Sequence, residues 1–494
     1  MRPQEIVSSQ QDLRPVTKKP KSDQGVLVVD LDGTLVRTDM LHESFWSAFS
    51  RQWHVPLIAA AGLVKGRARL KEELAALADI DTAALPYNEE VLAYIRRWRD
   101  AGGRTALVTA SDRRIATVIA DHLGLFDEVH GSDGSNNLKG VAKAAFIARQ
   151  FSGQSVTYMG DAPVDLAVWK EAGRAVTVNA PARLRQRVEA LGGDTEHLGA
   201  AGSGLRPYIK ALRPHQWLKN ALVFVPMLAA QRLDWTALWQ TLLAFVVFSL
   251  VASSVYVLND LLDLSADRSH PRKRNRPLAS GSLSIARGSL MAPVLLLVAL
   301  ALALPLGIKF IAVMAVYYAS TLAYSLYLKR QLIIDICLLA GLYTLRIVAG
   351  GAATAIPLSV WLLAFSIFFF FSLAALKRQA ELVDGVAAGK VTAHGRGYHV
   401  GDLPIVASMA IAAGYLSVLV MALYLNSPAV RELYHRPAAL WGTCLVLLYW
   451  ISRMVMKTHR GKMHDDPVVF AVTDNVSRFC LILVFAFTVA GVRL

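Results

Sequence analysis

Hydrophobic and polar positions divide the 494 residues into two unlike parts. From residue 25 to about 180, short β-rich runs (VLVVD, TALVTAS, VTYMGD, AVTVN) alternate with longer stretches in which apolar residues recur at helical spacing. Such alternation predicts a parallel sheet with crossover helices. Residues 36 to 95, rich in Ala, Leu, Glu and Arg, predict a helical insertion after the first strand. From 181 to 205 the periodicity fades and Gly accumulates, so a linker is expected there. Beyond it come nine apolar stretches, near 217–231, 236–258, 285–306, 308–328, 331–351, 358–376, 404–425, 438–456 and 478–492. A helix needs about twenty residues to cross a hydrocarbon core roughly 30 Å thick. The predicted fold class is therefore an N-terminal α/β Rossmann-like domain (25–180) followed by a C-terminal all-α membrane bundle of nine transmembrane helices (206–494).

Composition agrees with that division, because 54% apolar and 18% charged residues are too apolar a mixture for one water-facing protein. The net charge of +15 admits nucleic acid, an anionic membrane face or phosphorylated substrates. Its clusters lie between apolar runs, which favours membrane and phosphate, and nothing beyond net charge points to nucleic acid. The loops after the second, fourth, sixth and eighth stretches hold RSHPRKRNR, LKR, LKRQAEL with GKVTAHGR, and KTHRGK, whereas the alternate loops hold scattered charges such as Arg232, Lys309, Arg431 and Arg436. The positive-inside rule then puts the first set, and the N-terminal domain, in the cytoplasm of a bacterial-type inner membrane. Residues 1 to 24 are polar without an apolar core and read as a disordered tail, not a signal peptide. Cys337, Cys444 and Cys480 fall in apolar stretches without ligand spacing and read as small buried residues.

The second apolar stretch ends in an unusual way, in VYVLNDLLDLSADRSHPRKRNRPLASG. Asn259 to Asp263 and Asp263 to Asp267 are i,i+4 pairs and Asp260 to Asp263 is i,i+3, so on a continuing helix these groups share one face. Carboxylates so placed repel one another unless a cation lies between them. Oxygen ligands without Cys or His point to Mg²⁺, which leaves room for substrate phosphates. The plainer alternative is a helix that has simply reached water. Arg272, Lys273, Arg274 and Arg276 suit phosphate binding or topogenic charge equally.

The run NDLLDLSADRSHPRKRNRPLASG resembles the first aspartate-rich motif, NDxxDxxxD followed by RPL, of the UbiA-type intramembrane prenyltransferase superfamily. The resemblance covers about residues 206 to 494. LRPHQWLKNALVF, YSLYLKRQLIIDICLLAGLYTLRIVAGGAATAIPLS and LKRQAEL resemble the branch containing the polyprenyl-phosphate phosphoribosyltransferases, which move phosphoribose from phosphoribosyl diphosphate to a lipid phosphate. Aromatic prenyltransferases of the superfamily usually carry a second DxxxD after the sixth helix. That loop here offers Lys377, Arg378, Glu381 and Asp384, and another acidic cluster, with Asp465, Asp466 and Asp474, precedes the last stretch. The departure favours the phosphoribosyl branch. The resemblance implies Mg²⁺ on Asp260, Asp263 and Asp267, with Asn259 beside them at the substrate, stabilising a departing diphosphate. Lys219, Lys329, Arg346, Lys377 and Arg378, at or near span ends, are candidates to clamp phosphates, or to snorkel to the interface.

In the N-terminal part, VLVVDLDGTLVRTD places Asp30 and Asp32 at a strand's end, where ligands of parallel sheets bind. TALVTAS supplies Thr109, NNLKG supplies Lys139, and VTYMGDAPVD supplies Asp161 and Asp165. The four elements, in this order, resemble motifs one to four of the haloacid dehalogenase superfamily. The resemblance implies Asp30 as nucleophile, Asp32 as general acid and base, Thr109 and Lys139 on the phosphoryl group, and Mg²⁺ held by Asp161 and Asp165 beside Asp30. The helical insertion would be a small cap. A degenerate scaffold domain is the alternative.

Together these readings give a bifunctional integral membrane enzyme, a Mg²⁺-dependent transferase joining a polyprenyl lipid to a second substrate, fused to a phosphatase. Its partners are the lipid bilayer, the polyprenyl lipid, and phosphoribosyl diphosphate or a prenyl diphosphate. An aromatic (4-hydroxybenzoate-type) prenyltransferase stays open, as does a transporter with a regulatory soluble domain. Transporter acids usually sit near mid-span, with repeated halves, and neither pattern is seen here.

Overall fold

The computed structural model describes residues 25–133, 136–199, 204–387, 389, 396–463 and 466–492; the expected tail at 1–24 and Asp465 lie outside the described residues. By contacts the chain divides into two units. The first runs to Gly204 and also takes in Leu264–Asn275 and Ala279–Ile285; the second comprises Leu205–Asp263, Arg276–Leu278 and Ala286–Leu494.

The first unit is built on a parallel sheet. Its strands are β1 (Val26–Val29), β2 (Arg104–Asp112), β3 (Glu128–Ser132), β4 (Val156–Gly160), β5 (Arg174–Val178) and β6 (Asp194–Leu198), in the order β3-β2-β1-β4-β5-β6. All four residues of β1 are buried, as expected of a strand covered on both faces. Three helices, α1 (Met40–Phe49), α2 (Val55–Val64) and α3 (Arg67–Leu77), form the insertion and share a small core of Ala48, Val55, Leu70 and Leu74. The crossover helices are α4 (Glu89–Asp100), α5 (Arg113–Leu123), α6 (Val141–Gln150), the short α7 (Leu166–Trp169) and α8 (Ala182–Glu189). α4 starts with Glu89 and Glu90 and ends with Arg97 and Arg99, charges that complement the helix dipole.

Residues 182–198 correct the expected linker: they form α8 and β6, and β6 pairs with β5 from Arg174↔Asp194 to Val178↔Leu198. The strand DTEHL is polar because it lies at the edge of the sheet, with no residue fully buried. The segment Leu264–Ile285 also departs from the expected boundary. Its helix α12 (Leu264–Ser269) places Arg268 in an ion pair with Glu43 of α1, both nearly enclosed.

The second unit begins with α9 (Arg206–Leu212), a 3₁₀ stretch Pro214–Phe224 and α10 (Val225–Ala229). The helices α11 (Trp235–Leu262), α13 (Ile285–Ala303), α14 (Gly307–Leu326), α15 (Ile334–Thr354), α16 (Val360–Ala387), α17 (Leu403–Leu425), α18 (Pro428–Leu433), α19 (Trp441–His459), α20 (Pro467–Thr473) and α21 (Asn475–Gly491) follow.

Among the described residues six helical runs are long and apolar enough to cross a membrane, or seven if α20 and α21, bent by 86°, form one span. The expected nine separate helices are therefore corrected at the first stretch. The first stretch, 217–231, carries Pro214 ahead of it and Lys219 and Asn220 within it, and folds as a 3₁₀ segment and a five-residue helix. The third and fourth stretches are α13 and α14, as expected: the 3₁₀ turn Leu304–Leu306 and Gly307, with φ 84° and ψ 168°, break the apolar run Ile285–Leu326 between them, and α11 meets both, through Ser254 at Ala292 and Phe248 at Tyr317. Leu290, Leu297, Ile308, Leu445, Ile482 and Phe485 are exposed, an apolar surface of the kind lipid covers. Cys444 and Cys480 are buried, whereas Cys337 is exposed.

Candidate active sites

In the α/β unit the acids gather at the carboxyl end of the sheet, where β1 lies between β2 and β4. Asp30 follows β1 directly and is 8% exposed. Its Oδ1 accepts from Leu31 N at 2.8 Å and lies 2.8 Å from Lys143 Nζ. Lys143, in the first turn of α6, is buried, donates to Tyr158 OH at 3.1 Å and is 4.0 Å from Asp165 Oδ1. Asp165 is fixed by Tyr158 OH at 2.8 Å and by the N–H groups of Asp161 and Ala162 at 3.3 and 3.1 Å. Asp161 accepts from Thr34 Oγ1 at 3.4 Å. Carboxylate oxygens of Asp30, Asp161 and Asp165 all lie within 4.8 Å of one another.

Asp32 accepts from Ser111 Oγ at 2.5 Å and from Met40 N at 2.7 Å, which ties it both to β2 and to the start of α1. Thr109 is buried, and its Oγ1 accepts from Ser111 N at 3.0 Å. Gly33 holds φ at 75°, and a Cβ there would stand 2.2 Å from Asp161 Oδ2, so only glycine lets the loop after β1 pass this carboxylate.

Electrostatics follow from enclosing so many acids. Burial raises the Asp30 carboxyl above its ordinary range against the pull of Lys143. Burial, with Asp39 and Asp30 nearby, pushes Asp32 to about 7. Burial, with Asp30 and Asp165 facing it, pushes Asp161 to about 8. Burial alone would lower Lys143, but Asp30 and Asp165 outweigh it and raise the ammonium group. Three hard oxygen donors in an enclosed space with excess negative charge fit a divalent cation such as Mg²⁺.

Lys139, expected at the phosphoryl group, is exposed, and the ammonium against Asp30 belongs to Lys143. The missed signal was helical phase, since Lys143 shares the buried face of α6 with Ala144 and Ile147. Ser111 was also missed, although it stands two residues beyond Thr109, on the same side of the strand. From the insertion, Lys71 Nζ donates to Ala110 O at 2.5 Å and to Asn137 Oδ1 at 3.3 Å.

In the helical unit, α11 carries the aspartate-rich motif at its carboxyl end. Asp260 is 2% exposed, and its Oδ1 is paired with Arg213 and, at 3.0 Å, with Arg276. The Oδ1 of Asn259 is buried without a hydrogen-bond partner among the described residues. Asp263 is half-buried, with Lys329 Nζ 3.9 Å from its Oδ2. Among the described residues Asp260, Asp263 and Asp267 do not form a cluster of converging carboxylates like that of Asp30, Asp161 and Asp165, which corrects the expected metal trio; the oxygen donors beside the orphaned amide oxygen of Asn259 are those of Asp260 and Asp263, a donor chemistry that suits Mg²⁺.

The helix does not continue through the motif as expected. α11 ends at Leu262, Asp263 caps it with φ −103° and ψ 19°, and Asp267 lies on the separate α12. Acids are disfavoured at a helix carboxyl end by the dipole, which is a physical reason to end the helix there. Asp267 is buried, with its Oδ1 3.9 Å from Lys273 Nζ.

The other expected phosphate clamps divide into two groups. Arg346 is buried and committed to Asn220 Oδ1, Leu342 O and Tyr317 OH. Arg378 is fully enclosed between Asp335 and Glu381. Arg346 and Arg378 are thus both enclosed among side chains of the helical unit. Lys219 and Lys377, in contrast, converge on Asp466 beside a small cavity.

Comparison with known proteins adds to this geometry. The model of the UbiA prenyltransferase family matches residues 221–487, and that of the haloacid dehalogenase-like hydrolases matches residues 27–170. The chain is 40% identical over 456 residues to the protein y4nM of Sinorhizobium fredii, covering 92% of this chain and 88% of that one. It is 41% identical over 281 residues to nodulation protein NoeC of Azorhizobium caulinodans, covering 56% of this chain and 90% of that one. It is 45% identical over 179 residues to decaprenyl-phosphate phosphoribosyltransferase of Mycobacterium tuberculosis, covering 35% of this chain and 59% of that protein.

Proposed function

Because this chain belongs to the UbiA prenyltransferase family, we propose that it is a bifunctional membrane enzyme whose helical unit transfers 5-phosphoribose from phosphoribosyl diphosphate to a polyprenyl phosphate and whose α/β unit is a phosphatase. The likeness to the mycobacterial phosphoribosyltransferase supports the choice of donor and acceptor. The observation that carries the transferase reading is the end of α11, where a buried carboxylate gripped by two arginines adjoins an unpartnered amide oxygen.

In the transfer, the bond from ribose C1 to the diphosphate oxygen breaks, an oxygen of the acceptor phosphate bonds to C1, and diphosphate leaves. Negative charge grows on the leaving group, and Arg213, Arg276 and Lys329, gathered at Asp260 and Asp263, are placed to meet it. Asn259, Asp260 and Asp263 are the residues that would hold Mg²⁺, which would further neutralise that charge.

In the phosphatase step, both contacts to Asp30 use Oδ1, so Oδ2 is assigned as the oxygen that attacks phosphorus. The ester oxygen leaves with a proton from Asp32, whose value near 7 suits a group that gives and then takes a proton. Water then attacks the aspartyl phosphate, Asp32 takes its proton, and phosphate departs. Lys143 screens the repulsion between carboxylate and phosphate. Asp30, Asp161 and Asp165 are the residues that would hold Mg²⁺, which would supply the rest of that screening.

The two reactions suit one sequence of steps, because the first product bears a 5-phosphate that the second removes. The basic loops support an inner-membrane location with the phosphatase in the cytoplasm. The test is to incubate the full-length protein with Mg²⁺, phosphoribosyl diphosphate labelled in the ribose, and decaprenyl phosphate. Label is expected in the lipid phase, lost in Asp260→Asn and Asp263→Asn, and recovered as ribosyl lipid by the wild type but as phosphoribosyl lipid by Asp30→Asn. Absence of label from the wild-type lipid, with incorporation instead from a prenyl diphosphate into 4-hydroxybenzoate, would replace this reading by the aromatic one.

A further inference from the structure

Three parts of the helical unit remote in sequence converge on one carboxylate. Lys219 Nζ, from the 3₁₀ segment, and Lys377 Nζ, from α16, lie 2.8 and 2.9 Å from the same oxygen, Asp466 Oδ2. The other oxygen, Oδ1, accepts from Tyr343 OH at 3.3 Å and from Val468 N at 3.1 Å. Lys219 and Asp466 are nearly enclosed, each side chain 11% exposed, and Lys377 is 31% exposed. Lys219 Nζ also stands 5.9 Å from the centre of the Tyr343 ring, with the Arg346 guanidinium 5.4 Å from that centre.

Charge at this place does not balance. Two ammonium groups share one carboxylate oxygen, and Arg346, whose own hydrogen bonds go to neutral groups, adds a third positive charge close by. Enclosed cations in excess are costly until an anion joins them. The adjoining cavity has a charged end, formed by Lys377 and Asp466, and apolar walls from Leu339, Leu373, Ala374 and Pro467. Such a place suits an amphiphile with an anionic head. Phosphoribosyl diphosphate is polar throughout and has no part that would gain from apolar walls, whereas the first carbons of a lipid phosphate would.

We propose that the Lys219–Asp466–Lys377 cluster seats the phosphate head of the lipid acceptor, with Asp466 as an internal anion that holds both lysines in position until the lipid phosphate joins them. The inference rests on the transferase reading given above. It assigns Asp466 a part distinct from metal binding, and it sets a sign: the carboxylate competes with the lipid head for the lysines.

The test uses full-length protein in mixed micelles, labelled phosphoribosyl diphosphate and decaprenyl phosphate, with KM measured separately for each substrate. Transfer by the wild type establishes the reaction itself; its absence overturns the transferase reading and this inference with it. Given transfer, Lys219→Gln and Lys377→Gln are expected to raise the KM for decaprenyl phosphate about tenfold or more, the worth of one charge-assisted hydrogen bond, and to leave that for phosphoribosyl diphosphate within about twofold. Lys377→Arg, which keeps the charge, is expected to restore most of the lipid affinity. Asp466→Asn is expected to lower the lipid KM several-fold by removing a competing charge. Unchanged lipid KM in both glutamine variants, or a rise confined to phosphoribosyl diphosphate, would overturn the acceptor site while leaving the transferase assignment intact. A raised lipid KM in Asp466→Asn would overturn the role given to that carboxylate.

Discussion

Lys143 Nζ lies 2.8 Å from Asp30 Oδ1, inside the sheet's carboxyl end, while Lys139, four residues earlier, is exposed. Lys143 is the cation that offsets burial at Asp30, which faces the carboxylates of Asp161 and Asp165. Lys143→Met is therefore expected to reduce hydrolysis of p-nitrophenyl phosphate by about 10²–10³-fold, the usual cost of losing one preorganised charge. Lys139→Met is expected to stay within about threefold. Equal losses in the two variants would return the role to Lys139.

The difference between these lysines also marks what the sequence could disclose. Asp30 and Asp161 were legible because each directly follows a short apolar strand, at the carboxyl edge of the sheet. Lys143 needed knowledge of where α6 begins, and its boundary turns on Gly140, whose φ of 57° ends the preceding loop. β6 was not legible because an edge strand needs little hydrophobicity. Nor was the break at Asp263, since i,i+4 spacing assumes a helix that its own acids bring to an end. The partner of Arg378, Asp335 on α15, was beyond any local pattern.

Acids raised by burial give the α/β unit a pH-dependent stability whose sign is opposite to that of an ordinary salt-bridged carboxylate. With Asp161 at about 8 in the fold and near its ordinary value when unfolded, the folded state binds more protons through the interval between them. Stability of the metal-free protein is therefore expected to fall as pH rises from about 4 to 8. Mg²⁺ binds the deprotonated acids, so the rise in melting temperature that it produces should be larger at pH 8 than at pH 5. Melting curves of the full-length protein with Mg²⁺ or with EDTA at the two pH values measure this. A Mg²⁺ effect independent of pH would remove Asp161 from the metal set.

Gly33→Ala tests the same site by geometry. The added methyl would stand 2.2 Å from Asp161 Oδ2, on a backbone with φ 75° that alanine adopts poorly. Asp161 has to give way, and the Mg²⁺ concentration for half-maximal phosphatase activity is expected to rise about 10–100-fold, as when a metal ligand loses its support. Phosphoribosyl transfer by the same variant should remain within about twofold of wild type. An unaltered Mg²⁺ requirement would mean that Asp161 is not held against Gly33 in the working enzyme.

Arg378 and Asp335 are both fully enclosed, with Nη2 2.7 Å from Oδ2. Tyr398 OH donates to Asp335 Oδ1 at 2.6 Å and accepts from Ile333 N at 3.0 Å, so the pair also fixes the start of α15. Removing one charge leaves the other buried, which typically costs about 3–5 kcal/mol, whereas removing both is far milder. Arg378→Met is accordingly expected to lower the melting temperature and the yield of folded protein in detergent, with the KM values of the surviving enzyme unchanged. Arg378→Met combined with Asp335→Asn should recover part of that loss, because the enclosed carboxylate, left with only Arg396 at 3.7 Å, is gone while the hydrogen bond from Tyr398 persists. A direct phosphate-binding role would give the reverse: a stable Arg378→Met protein with weakened substrate affinity, and no recovery in the double variant.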